Sequence, residues 1–248
     1  MRASRQQPPA APILWPVVPG QQRLDGGRQV LRHRHRHAYA AVVLSGGYEE
    51  AGDHGRWRVG AGQAVIHDRF EAHQDRVDPR GSKVLNLPLT GRGPGPGAYR
   101  VADVDLVACL AERDPREAAA LLLSQPLTPV DPCRDWPDLL AADLREGRCR
   151  AISGWAAAQR LCPATVSRGF RRTFGISPKR YRLEAQLGRA VRMLQNGATQ
   201  LAFVAYACGF ADQSHLTRAM RQLVGLTPAH LRRSSSFKKS EAGSDSSP

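Results

Sequence analysis

Two hydrophobic periods divide this chain. Up to about residue 102, apolar residues alternate or cluster in short runs between glycine turns, as in β-strands; beyond it they recur every three or four positions, as in helices. The run VLRHRHRH alternates strictly, which places His33, His35 and His37 on one strand face and Arg32, Arg34 and Arg36 on the other. AYAAVVL reads as a buried strand ended by the turn Ser45-Gly46-Gly47. GRWRV and QAVIHD are further strands joined through Gly60-Ala61-Gly62; KVLNLPL is another, followed by a loose GRGPGPG. Many short strands at this spacing predict a small antiparallel barrel or sandwich.

From Asp103 the helical period takes over. Val104, Val107, Ala108 and Ala111 form one stripe. Asp114 caps a helix opening at Pro115 and carrying Ala118, Leu121 and Leu122. Asp135 opens another through Leu139, Leu140 and Leu144, stopped by Gly147. Further on, Val166, Phe170 and Phe174 recur every four residues behind Pro163. Ser177-Pro178 starts a long helix whose stripe is Leu183, Leu187, Ala190, Val191 and Leu194, ended by Gly197. About 18 residues at 1.5 Å each make a rod of roughly 27 Å. Leu201, Val204, Ala205 and Cys208 then share one face of a short helix, and Gly209 permits a tight turn. Asp212 is placed to cap a second helix with Leu216, Ala219, Met220 and Leu223 inward. Its outward residues are Gln213, Ser214, His215, Arg218 and Arg221. Helix, glycine turn and a second helix with short polar groups and arginines outward make a helix-turn-helix, able to reach base edges and phosphates. Thr227-Pro228 caps a last short helix ending at Arg232 and Arg233.

Charge sharpens this picture. The 248 residues carry a net charge of +14, and twelve of those charges lie in 150–233, where 14 Lys and Arg face only Glu184 and Asp212. Such concentration in one third of the chain is the footprint of a polyanion-binding domain beside an ordinary globular one. Five cysteines without a C-x-x-C pair argue against a disulfide framework or structural zinc and fit a reducing cytoplasm. Pro12, Pro16 and Pro19 break any signal-peptide run, and no stretch approaches the ~20 apolar residues that span a bilayer. No membrane partner is expected.

The stretch from AYACGF through QSH to TRAMRQLVGLTPAHLRR closely resembles the second DNA-binding motif of the AraC/XylS family of transcription regulators. The resemblance extends upstream to about Arg150, where ISGWAAAQRLCPATVSRGFRRTFGISP is similar to the family's first motif. It implies that Thr165, Ser167 and Arg168 occupy DNA-facing positions, with Arg171 and Arg172 at the rim, matching His215 and Arg218 of the second motif. The first unit departs from the pattern: Arg160 stands at the usual turn glycine, Gln159 replaces a common Leu, and Cys162 stands where Ser usually caps. Gly169 lies inside the recognition helix at a cost of about 1 kcal/mol relative to Ala.

More weakly, HRHRHAYAAVVLSGG and GRWRVGAGQAVIHDRFEAH resemble the cupin-type sensor domain that precedes the DNA-binding part in this family. The shared positions are His35, His37 and His73; the glutamate that a metal-binding cupin pattern wants is replaced by Ala41 and Val42, and Glu71 is a carboxylate out of place. Three readings stay open for these histidines: a metal site, a metal-free pocket for an acidic effector, and a plain structural strand.

The sequence therefore predicts an α+β chain. A cupin-like β-barrel sensor spans 13–102, a helical linker and dimerisation region 103–147, an all-α double helix-turn-helix domain 148–233 and a disordered tail 234–248; residues 1–12 are read as loose. The expected function is sequence-specific transcription regulation on double-stranded DNA, modulated by a small-molecule effector at His35, His37 and His73. No catalytic group, metal or cofactor is expected. A homodimer is expected, and contact with RNA polymerase if the protein is an activator. The rival readings are a metal-dependent cupin oxygenase fused to a DNA-binding module and a nonspecific nucleic-acid binder. A methyl-accepting repair protein would need a reactive cysteine cluster that the chain lacks.

Overall fold

The computed structural model describes residues 14–90, 93–196 and 200–233; the expectations for 1–12, for the stop at Gly197 and for the 234–248 tail fall outside them. Strands β1 (Gly20–Leu24), β2 (Gln29–Arg34), β3 (Tyr39–Gly52), β4 (Arg56–Gly60), β5 (Gln63–His67), β6 (Ala72–Pro88), β7 (Gly97–Val101) and β8 (Leu127–Pro129) form one antiparallel sheet. Its order is β1-β6-β3-β5-β7-β8, with β2 on β6 and β4 on β3. The expected barrel is not completed: among the described residues the path runs from β1 to β8 without a closing pair.

Two long strands replace several expected short ones. The predicted turn at Ser45-Gly46-Gly47 is a bulged bend inside β3, where register with β6 shifts between Val43 and Ser45 and again between Gly46 and Tyr48. Gly46 has φ +67°, and a Cβ there would sit on the Gly81 carbonyl, so the two strands can pass each other only with glycine at this point. Of GRGPGPG, residues 91–92 lie outside the described residues and Gly97 begins β7.

Helices α1 (Val104–Ala111) and α2 (Pro115–Ser124) pack Val107, Ala118 and Leu122 on Ala40, Leu85 and Leu87 of the sheet. Asp103 and Asp114 cap them through Leu106 N–H and through Arg116 and Glu117 N–H. Helix α3 (Trp136–Glu146) behaves differently. Its Leu140, Ala141 and Leu144 share a core with Val166, Phe170 and Phe174 of α5 (Pro163–Phe174), Ala156 of α4 (Ile152–Ala158) and Tyr181 of α6 (Pro178–Asn196). Arg56 of β4 holds the start of α3 through Asp135 and Asp138.

The remaining helices are α7 (Leu201–Ala207), α8 (Gln213–Val224) and α9 (228–233). Nineteen residues make α6 about 28 Å long. It touches α5 on one side and α7 and α8 on the other, so both helix-turn-helix units hang from it. The second core gathers Leu187, Val191, Leu194, Val204, Leu216, Met220 and Leu231, and it also takes in Phe70 from the sheet domain. No helix of the described residues is long and apolar enough to cross a membrane.

Candidate nucleic-acid interface and the chamber behind it

The second unit is built by local chemistry. Gly209 takes φ +82° and turns the chain from α7; the Asp212 carboxylate then accepts the His215 N–H at 2.6 Å and starts α8. Burial of Leu216, Ala219, Met220 and Leu223 leaves Gln213, Ser214, Arg218 and Arg221 exposed on the opposite side. His215 is only half-exposed: its ring meets Phe210 edge-on at 5.2 Å, and its Nδ1 lies 3.4 Å from the Ala211 N–H. In the first unit, Val166, Phe170 and Phe174 are fully buried while Thr165, Ser167, Arg168, Arg171 and Arg172 are exposed. Each set of outward residues is thus brought together on one helix.

The departures in the first unit have structural counterparts. Arg160 does adopt the left-handed conformation that glycine would occupy, with φ +55°. Cys162 precedes α5 without a side-chain cap bond. Gly169 is required by packing: a Cβ there would meet the Trp136 ring at 2.5 Å. The indole of α3 lies directly on the recognition helix, a reason for glycine that periodicity alone does not reveal.

The basic domain is joined to the sheet through its lone interior acid. Glu184 of α6 accepts from Arg32 Nε at 3.2 Å, Arg34 Nη2 at 3.1 Å and Arg180 Nε at 2.8 Å. Asp53, in the turn after β3, pairs with the same Arg32 and Arg34. Burial pushes the Glu184 carboxyl upward, but Arg32, Arg34 and Arg180 outweigh it and hold the group at about 2. The Tyr181 hydroxyl accepts from Arg145 at 2.9 Å and donates to the Gly52 carbonyl at 3.2 Å. Gln74 donates to the Thr173 carbonyl at 2.6 Å, reaching the end of α5. Phe70, at φ +62° in the turn between β5 and β6, places its ring in the α6–α8 core.

On the other face of β2 lies a cavity of about 550 Å³ lined by Trp15, His33, His35, Tyr39, Glu50, His67, His73 and Asp75, among others. His35 and His73 converge here, with ring centroids 5.5 Å apart, but His37 does not join them. β2 ends at Arg34, the alternation stops, and His37 is exposed; His33 takes its place, 4.3 Å from the His73 ring. Sequence reasoning also passed over Glu50 and His67, whose only signal was a polar residue inside or at the end of an otherwise apolar strand. Glu71, the misplaced carboxylate, is buried and accepts the Asp68 N–H at 2.9 Å.

Burial governs the ionisation of this cluster. It lowers His67 and His73 well below the ordinary imidazole range, with neighbouring histidines adding to the effect, and His35 to about 4. It raises Glu50 well above the carboxylate range, helped by Asp75 and Glu71. Asp75 is pushed up to about 7 by burial, against the opposing pull of His33 and His35. Three imidazoles are therefore held neutral, the form that can donate a lone pair to a ligand.

A family model described as a helix-turn-helix domain matches residues 155–234. The HTH-type transcriptional activator RhaS of Escherichia fergusonii is 30% identical over 95 residues, 38% of this chain and 34% of that protein. A putative AraC-like transcription regulator of Streptomyces antibioticus is 29% identical over 84 residues, 32% of this chain and 28% of that protein. The chain thus covers about a third of each curated relative's length. An AraC-type regulator structure from Chromobacterium violaceum aligns at 26% identity with a TM-score of 0.35, over 39% of this chain and 85% of that one. Fatty-acid-bound ToxT from Vibrio cholerae aligns at 10% identity with a TM-score of 0.38, over 86% and 93%. The matched residues include both turns, both outward helices and the rod between them, and residues 155–234 are a helix-turn-helix domain of the AraC type.

Proposed function

We propose that the chain is a sequence-specific transcription regulator that sets α5 and α8 into successive major grooves of one duplex. The supporting observation is a single rigid helix, α6, carrying two amphipathic helices whose exposed faces are polar and cationic. Its length of about 28 Å is comparable with the ~34 Å repeat of DNA. Arg168 and Arg218 read bases, assisted by Thr165, Ser167, Gln213, Ser214 and His215; Arg171, Arg172 and Arg221 contact phosphates. The chain acts in the cytoplasm, as a homodimer, and not as an enzyme. Leu106 and Leu139, about half exposed on α1 and α3, offer the pairing surface. An activating protein would also touch RNA polymerase.

The cupin-like sheet is the regulatory half. β2 carries His33 toward the chamber and Arg32 and Arg34 toward Glu184, so a ligand that shifts this strand acts directly on α6. Selection of bound duplexes from a random pool by the full chain tests the reading. A recurrent bipartite site with half-sites one helical turn apart is expected; equal retention of every sequence overturns it.

A further inference from the structure

The chamber contains more chemistry than an apolar effector would use. Glu50, His67 and His73 come from three different strands, β3, β5 and β6, and are 1%, 2% and 3% exposed. Glu50 Oε2 lies 3.4 Å from His67 Nε2 and 3.7 Å from His73 Nδ1, and one donor atom from each residue falls within 4.8 Å of the others. Ligands at ~2.0–2.1 Å from a tetrahedral ion stand about 3.3 Å apart, a spacing that both Glu50 contacts already approach. Neither oxygen of Glu50 and neither ring nitrogen of His67 has a hydrogen-bond partner. Two of these atoms, Glu50 Oε2 and His67 Nε2, face each other, and leaving them buried without hydrogen bonds is a standing cost that a bound cation removes.

We propose that Glu50, His67 and His73 form a binding site for a divalent first-row transition-metal ion of the zinc class. Two imidazoles and one carboxylate suit such ions, and the cavity gives one an entry path. Coordination through His73 Nδ1 takes that nitrogen from Asp75 Oδ1, 3.0 Å away, and leaves its Nε2–H to the Tyr39 hydroxyl at 3.1 Å, which fixes the ring. His33 and His35 form a second triad with His73. This set differs from the pattern read in the sequence, which needed His37 and a carboxylate near Ala41; the carboxylate comes instead from Glu50.

The site has a mechanical output. His67 and His73 flank the turn 68–71, whose Phe70 sits in the core beside α6 and α8 and whose Phe70 carbonyl is bound by Arg34. An ion that clamps both ends of that turn restrains the contact between sheet and DNA-binding domain. The ion thereby becomes the effector, a conclusion that rests on the regulatory reading of the N-terminal half.

Titration of the chelator-treated full chain with Co²⁺ tests the site. One equivalent should bring up the visible d–d bands of a tetrahedral N/O site, and Zn²⁺ should abolish them. Glu50→Gln and His67→Asn should each weaken binding about 100-fold or more while the far-ultraviolet circular dichroism stays that of the parent. Absence of the bands in the parent chain, where atoms of the triad are then satisfied by water alone, overturns the proposal without reference to any variant. Bands that survive in folded Glu50→Gln and His67→Asn overturn it equally. Retention assays on the same preparations separate the two ideas: a chain that shows no bands yet selects its duplex sinks only the metal site, whereas a chain that shows the bands but retains every duplex equally with and without the ion sinks the regulatory reading.

Discussion

Glu184 Oε2 lies 3.1 Å from Arg34 Nη2, joining the rod of the DNA-binding domain to a strand 150 residues earlier. The same oxygen takes two bonds from Arg32, and Asp53 shares both arginines. All four side chains are largely withdrawn from water. Replacing Glu184 by Gln leaves two buried guanidinium groups with Asp53 as their remaining carboxylate. Breaking a buried pair in this way costs roughly 3–5 kcal/mol. Denaturant unfolding of Glu184→Gln should show that loss; a change below about 1 kcal/mol would place the network outside the stabilising set.

The pH dependence follows from the same group. Its folded value of about 2 lies below the ordinary 4.5, so the folded state holds fewer protons than the unfolded chain between those limits. The contribution of Glu184 is thus fully present above pH 4.5 and is lost as the pH falls from there toward 2. Thermal melts of the parent chain and Glu184→Gln should converge across that window. Curves that stay parallel would show that protonation of Glu184 is not what acid does.

Arg218 is exposed on α8, free of any fold-holding task in the second core. Arg218→Ala should therefore leave stability within about 0.5 kcal/mol. Its effect should appear in discrimination, with about 1–3 kcal/mol lost between the selected duplex and a random one. If affinity falls equally for every sequence, Arg218 contacts phosphate and not base.

Gly169 and Arg160 test the first unit in opposite directions. Gly169→Ala gains helix propensity but drives a methyl into the Trp136 ring, and overpacking of this kind costs about 1–3 kcal/mol. Lower stability with a changed tryptophan emission is expected; a stabilised variant would mean that the indole moves aside freely.

Arg160→Gly relieves a left-handed backbone that costs a side-chain-bearing residue about 1–2 kcal/mol, partly offset by added freedom in the unfolded chain. A net gain of about 0.5–1 kcal/mol in chemical denaturation is expected, and a loss would show that the arginine side chain contributes more than its backbone costs.

The helical half was readable because its signals are local. Asp212 and Gly209 act within a few residues, and the stripes of α5, α6 and α8 bury the apolar positions their period names. The sheet half was readable in composition but not in register. The alternation of β2 correctly parted Arg32 and Arg34 from His33, yet nothing in RHRHRH marks where the strand stops, and His37 was misassigned to the chamber for that reason. Glu50 and His67 escaped because only the pairing of β3 with β5 and β6 brings them together. The Glu184 network escaped because its partners are separated by most of the chain. Gly169 looked like a weak point until Trp136 was seen resting on it.

Phe70 belongs by sequence to the sheet and by packing to the helices. Cutting the chain near residue 148 therefore empties a socket lined by Leu187, Val191 and Val224, and opens it to water. A truncated DNA-binding fragment would start life with a greasy hole beside its central rod, prone to self-association and looser than the same helices in the intact chain. Affinities gathered on such a fragment describe a wounded molecule, and the uncut protein is the fair reference.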